Sequence, residues 1–351
     1  MRRISFLVLI ACSEAPATTT VDEPAALLVL ETDYISGLVS GWTADFTNRL
    51  NQTAVDGDSH LVELGLQLGV FQRGHGDNLM LLDPNLTVEK QWAFRPQSNP
   101  QDGLLIGDEL WVSLYHEPYV LRLDATNGEQ NTRLDISPFT DADGRPEASD
   151  LLATQAGIIY LAVQNLDFRG VEPIPPQTSW LLAFNTEGDL LHSIAIPANP
   201  YGTMIELEDG TILIACNRSW AIDQQAGLWH FDPQTNSGSF IVDEETLQGN
   251  ILSFSANETA IFLVVAKADF TTEFRRINRV DNHLSAPFDG PSENLGCVTT
   301  LSDGQTWVCD RHPATFGLRQ VNEQQQQISD EKVSTRMAPL TIIENRHLEK
   351  F

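Results

Sequence analysis

The sequence predicts an all-β protein built from one repeated four-stranded unit, and three observations carry that prediction. The first is a short pattern of an apolar strand, a tight turn opened by Asp or Asn, and a second strand. It is clearest at 79–88, and close variants occupy 120–128, 181–188 and 228–235. The second is its period. With fainter copies at Asn278 and Asn322 and a degenerate one at Thr43, the anchors 43, 83, 124, 185, 232, 278 and 322 stand 40, 41, 61, 47, 46 and 44 residues apart. The third is a count: seven strands of one kind and only six of the kind that should precede each, with a seventh candidate at the C-terminus. A period of this length made of strands and turns is the signature of a propeller blade. The chain reads as a single seven-bladed β-propeller closed by its N- and C-terminal strands, although the weak first and last repeats leave six or eight blades open.

The second strand of each blade is the easiest to see, at 27–31, 68–72, 110–114, 158–163, 212–216, 261–266 and 306–309. Most are continuous runs of β-branched and aromatic residues, as expected of strands covered on both faces by neighbouring blades. Gly107-Asp108, Asp209-Gly210 and Asp303-Gly304 sit just ahead of three of them, where a hairpin needs residues that tolerate a left-handed backbone. Innermost strands are placed before those turns at 61–64, 104–106, 151–154, 203–207, 251–255 and 298–301. The seventh, at 339–343, should pair beside 27–31 and remove the open sheet edge.

The N-terminus has its own logic. Met1-Arg2-Arg3 is a basic lead, and 4–11 is an apolar stretch too short to cross a bilayer, which takes about 20 residues. It ends in Leu9-Ile10-Ala11-Cys12, the form of a bacterial lipobox. Residues 1–11 therefore read as a lipoprotein signal peptide, Cys12 as the acylated residue, 12–24 as a flexible tether and 25–351 as the propeller. That address is an outer-membrane lipoprotein of the cell envelope, a monomer held to the membrane by its anchor. The formal charge of −27, from 21 basic against 48 acidic residues, excludes nucleic acid as a partner, because binding a polyphosphate relies on Lys and Arg.

Two insertions fill the long 61-residue spacing: 137–150, containing Asp141-Ala142-Asp143-Gly144-Arg145-Pro146-Glu147, and the proline-rich 168–179. The lipobox, the seven repeats, the pairs Asn99-Pro100 and Asn199-Pro200 and the Asp-x-Asp-Gly-x-Pro-Glu segment together resemble a family of bacterial lipoproteins related to YVTN-type repeat propellers. The resemblance implies the seven-bladed fold and no particular activity, since that family has none established.

Asp141-Ala142-Asp143-Gly144 is similar to the start of a calcium loop, where carboxylate oxygens suit a hard cation. Asp141, Asp143 and Glu147 are the candidate ligands, with Asp150 in reach. Arg145 and the lack of a Glu at the twelfth position break the EF-hand pattern, so an Asx-stabilised turn is the alternative. Cys297 and Cys309 flank a hairpin turning at 302–304. A three-residue loop places them opposite one another, as a disulfide or as two reduced apolar fillers, and leaves Cys216 as a buried filler. The second strands exit through polar triplets that include Arg73, His116, Arg218, Lys267 and Arg311. Repeat register puts these on one ring, a candidate site for a small anion, unless each cation pairs locally with Asp or Glu.

These observations point to a non-enzymatic, lipid-anchored envelope propeller that binds a small polar or anionic ligand, or a protein partner, on its loop-rich face. It needs no cofactor beyond the calcium option. The alternative is a propeller enzyme of lactonase or lyase type, with a metal or His at the channel mouth.

Overall fold

A computed structural model describes residues 25–65, 67–74, 76–169, 178–219, 221–291, 293–322 and 327–345. Seven sheets follow one another, six of four strands and one, the sixth, of three among the described residues. Their innermost strands are Ala338–Glu344 (blade 1), Ser59–Leu64, Pro100–Ile106, Ala148–Ala153, Pro200–Glu206, Asn250–Ala256 and Leu295–Thr300 (blade 7). The C-terminal strand completes blade 1, with Leu28 opposite Ile343, Val29 opposite Ile342 and Leu30 opposite Thr341. The seven-bladed, all-β architecture and its closure are as the repeat count predicts.

The second strands are apolar all along because each is a wall between two interiors. Seven apolar clusters form, one at each blade interface. Leu27 and Val29 pack toward Trp307 and Cys309 of blade 7, while Leu28 and Leu30 pack toward Leu68 and Val70 of blade 2. Burying a Leu or Val side chain contributes roughly 1.5–3 kcal/mol, so the repeat is stabilised blade against blade.

The repeat anchors all turn the chain out of the third strand, and their side chains explain why the residue is mostly Asp or Asn. Asp83 Oδ1 accepts the amides of Asn85 and Thr87, Asp124 Oδ1 that of Thr126, Asn185 Oδ1 that of Asp189 and Asp232 Oδ1 that of Gln234. Even the degenerate copy works alike, since Thr43 Oγ1 accepts the Asn48 amide. Each is a side chain standing in for a backbone turn.

The inner strands start one to four residues earlier than the hydrophobic pattern places them. Blades 3 to 7 each carry a bulge near the start of this strand, such as that between Pro100 and Asp102 and that between Ala148 and Leu151. A bulge interrupts the alternation on which the sequence reading depends and re-aims a side chain.

Antiparallel order puts the exits of the second strands and the connections between blades on one face, hereafter the mouth face. The chain enters at Ala25 and leaves at Asn345 on the opposite face, where Asn345 Nδ2 donates to Ala25 O. Among the described residues no helix is long and apolar enough to cross a membrane.

Candidate functional site

The mouth face is built on a recurring backbone device. Just before an inner strand the chain takes a left-handed residue, Asn99 (φ 51°), Asn199 (φ 56°) or Asn294 (φ 58°). Its carbonyl accepts the first amide to leave the second strand: Tyr115 N to Asn99 O (3.0 Å), Asn217 N to Asn199 O (2.9 Å), Arg311 N to Asn294 O (2.9 Å). Asn suits this conformation better than other side-chain-bearing residues. Blade 4 makes the same bond, Gln164 N to Glu147 O at 3.1 Å, with Glu147 at φ 50°. A glutamate thus stands where three other blades place asparagine.

Glu147 is fully buried. Its Oε2 accepts the Leu166 amide at 2.9 Å, and its Oε1 has no hydrogen-bond partner among the described residues. Burial first, then the charges of Asp143 and Asp141, push its carboxyl up to about 9. Asp143 Oδ2 accepts the Phe168 amide at 3.0 Å, so both acids close on 166–168 from one side. Between their two amides lies Asp167, and Asp141, Asp143 and Asp167 each bring a carboxylate oxygen within 4.8 Å of the others. Burial and the neighbouring Asp143 raise the Asp141 carboxyl, whereas the Arg169 guanidinium, 2.7 Å away, holds Asp167 down at about 2. The sequence singles out Asp141, Asp143 and Glu147 but misses Asp167, which reaches the group from just ahead of the other insertion.

Tyr115 borders this group. Its hydroxyl donates to Gln164 Oε1 (2.7 Å), and Gln164 Nε2 donates in turn to Pro200 O (2.9 Å), which ties blades 3, 4 and 5 together. Burial and then the Glu147 charge push its phenol up.

The ring of cations is placed differently. Arg73 sits on Asp58 at 2.6 Å and reaches Gln101, Arg218 sits on Asp223 at 3.1 Å, and Lys267 on Glu273 at 3.4 Å. Three of the four cations are thus engaged in local ion pairs, the option that the sequence leaves open against a shared anion site. Arg311 lies over the Tyr34 ring at 4.9 Å, without an ion pair among the described residues, because Asp310 turns to Arg319 at 2.7 Å. His116 Nδ1 bonds Gln97 O at 2.9 Å.

A constellation that the sequence reading passes over sits on the inner strands of blades 2 to 4. Asp102 Oδ2 accepts the Leu151 amide (2.8 Å) of blade 4, and Asp150 Oδ2 accepts the Met204 amide (2.7 Å) of blade 5. The two carboxyls are near enough for the charge on Asp102 to disfavour ionisation of Asp150, and His60 Nε2 stands 3.9 Å from Asp102 Oδ1. Burial raises both acids and, with Arg73, pushes His60 down to about 3, so the imidazole is neutral. The signal was there in the repeat: Asp102 and Asp150 each stand three residues after the left-handed position.

Cys297 and Cys309 are joined, with Cα atoms 4.9 Å apart across the blade 7 hairpin, and Cys216 is free and buried. Cys12, the signal peptide, the tether and 170–177 of the proline-rich insertion lie outside the described residues.

No protein-family model and no curated protein matches the chain. Solved structures do. The structure of apo AztD from Citrobacter koseri aligns with a TM-score of 0.56 at 12% identity, over 90% of this chain and 96% of that one. BamB from Moraxella catarrhalis aligns at 0.53 and 14%, over 92% of each. A catalytically inactive virginiamycin B lyase from Staphylococcus aureus, with quinupristin, aligns at 0.58 and 10%, over 89% and 90%. Identities this low show a shared fold and nothing finer.

Proposed function

We propose that this protein is a non-enzymatic binding propeller of the cell envelope, anchored through Cys12, whose mouth face meets a protein partner. The distribution of exposed apolar side chains carries the reading. Of eleven large ones among the described residues, Tyr34, Ile35, Phe168, Ile222 and Phe270 stand on mouth-face loops, and Tyr201 at the mouth end of an inner strand. Ile35 is 89% and Phe270 86% exposed at the tips of tight turns. Apolar tips gathered on one face of so acidic a protein mark an interaction surface. Arg311, held over Tyr34, would meet an acidic group of the partner.

A photo-crosslinking residue at Phe270, compared with one at Val280 on the opposite face, tests this in cells. One discrete adduct from position 270 and none from 280 is expected; adducts from 280 alone, or equally from both, would defeat the reading. Fatty-acid labelling that is lost in Cys12→Ala tests the anchor separately.

A second reading, an enzyme of lyase or lactonase type, draws on the carboxyl pair beside His60 and on the lyase among the structural neighbours. Against it, both Oδ2 atoms already hold backbone amides of the next blade. That use makes the pair a clamp between blades first, and a reacting group only if a channel ligand displaces one of those bonds.

A further inference from the structure

We propose that blade 4 carries a calcium site in which Asp141, Asp143 and Asp167 bind one ion, with the buried, unpaired carboxyl of Glu147 behind them reaching it directly or through a water. The site does not depend on the partner reading. It needs only the geometry of the two blade 4 insertions.

Three carboxylate oxygens within 4.8 Å of one another match the spacing of ligands around one calcium, since two oxygens at about 2.4 Å from an ion can be at most about 4.8 Å apart. An acidic cluster alone would be an ordinary solvated surface. The second observation is Glu147: a fully buried acid, one oxygen on the Leu166 amide and the other without a partner among the described residues. It closes on the same three residues, 166–168, that Asp143 caps through the Phe168 amide and that carry Asp167. A buried carboxylate oxygen left unpaired is costly, and a cation held by its neighbours supplies what it lacks. The register sharpens the point, because the equivalent left-handed position is a neutral Asn in blades 3, 5 and 7.

The donor set selects the ion. The three donors that share this spacing, and Glu147 behind them, are all carboxyl groups, with no imidazole or thiolate, which suits a hard cation rather than zinc or copper. The three rim carboxylates are partly exposed, leaving room for waters, and they come from two separate loops. An adaptable site of this kind favours calcium over magnesium, which demands a compact octahedron. Arg169 now holds Asp167, but it is 59% exposed and the pair is a weak surface one that a divalent ion displaces. Bound calcium would tie 141–147 to 166–168 and fix Phe168 on the mouth face.

The test compares melting of the whole protein with millimolar calcium, with chelator, and with sodium chloride of equal ionic strength. Calcium should raise Tm by at least about 2 °C, since an ion bound only by the folded state must stabilise it. The shift should vanish in Asp143→Asn and Asp167→Asn, shrink in Glu147→Gln, and persist in Asp209→Asn on the opposite face. Terbium luminescence on the unaltered protein needs no variant: saturable signal displaced by calcium, and not by equal magnesium, supports the site. No shift and no saturable signal would overturn it. So would a shift that survives Asp143→Asn and Asp167→Asn together, or one that Asp209→Asn abolishes equally, since either marks diffuse screening of the acidic surface.

Discussion

Blades 4 and 5 share a backbone and differ in what they do with it. In each, a left-handed residue precedes the inner strand and its carbonyl takes the first amide leaving the second strand. In each, the side chain of that next residue bonds the following inner strand, Gln164 to Pro200 O and Asn217 to Ile251 O. In blade 5 the left-handed residue is Asn199, whose Nδ2 donates to Asn217 O at 2.6 Å. In blade 4 it is Glu147, buried with one oxygen unpartnered among the described residues. Leaving a buried polar group unpaired costs about 1–3 kcal/mol, which nothing in the blade's own packing offsets. The propeller geometry is therefore met by an uncharged residue at low cost, and blade 4 departs from it where two insertions converge.

The largest expected effect is common to both blades. Phe231 packs fully buried in the cluster that joins them, edge-on to Tyr160 with ring centroids 5.9 Å apart. Phe231→Ala should cost about 3–5 kcal/mol in chemical denaturation, with or without calcium; a loss below about 1 kcal/mol would mean that the blades are not held together by this cluster.

Next comes the comparison itself. Asn199→Glu imposes the blade 4 residue on blade 5, where no acidic group among the described residues is known to share a cation with it. It removes the bond to Asn217 O and should destabilise by about 2–3 kcal/mol, without creating a response to calcium. A neutral effect would show that the left-handed position accepts an acid freely and that Glu147 is unremarkable there.

The smallest effect is tied to pH. Burial raises the Asp102 and Asp150 carboxyls and takes Glu244 up to about 7. The folded state thus holds protons that the unfolded chain releases near pH 4. Stability from these groups is full below that value and is lost as pH rises through the folded pKa values. His60, pushed down to about 3, acts oppositely and subtracts as pH falls below about 6.5. Asp102→Asn keeps an acceptor for the Leu151 amide and removes the charge. It should be more stable than wild type at pH 8, by about 1 kcal/mol or more, with the gap narrowing at pH 5 and closing near pH 4. An equal gap at pH 8 and pH 4 would assign the effect to packing.

Much of this was legible. Asp83, Asp124, Asn185 and Asp232 announce their turns because an Asx side chain caps its own turn, a local interaction that sequence records directly. The closure by 339–343 followed from counting strands, and opposite placement of Cys297 and Cys309 from the length of one hairpin loop. Asp141, Asp143 and Glu147 drew notice as a linear cluster. Asp167 did not, because it stands some two dozen residues further on, just ahead of the second insertion, and only the approach of two loops brings it near. The cations at equivalent repeat positions shared a register but not a fate: Arg73, Arg218 and Lys267 each found a carboxylate within reach of a long side chain.

By itself, then, the sequence determined the repeat, the turn chemistry and the way the ring closes, and pointed to seven blades, a count that the structure settled. All of these are set by local patterns recurring at a fixed period. Only the tertiary structure decided which of the charged residues remain available. Ion pairing, burial and the left-handed setting of Glu147 depend on neighbours many residues away, and a buried carboxylate differs from a solvated one only through its surroundings.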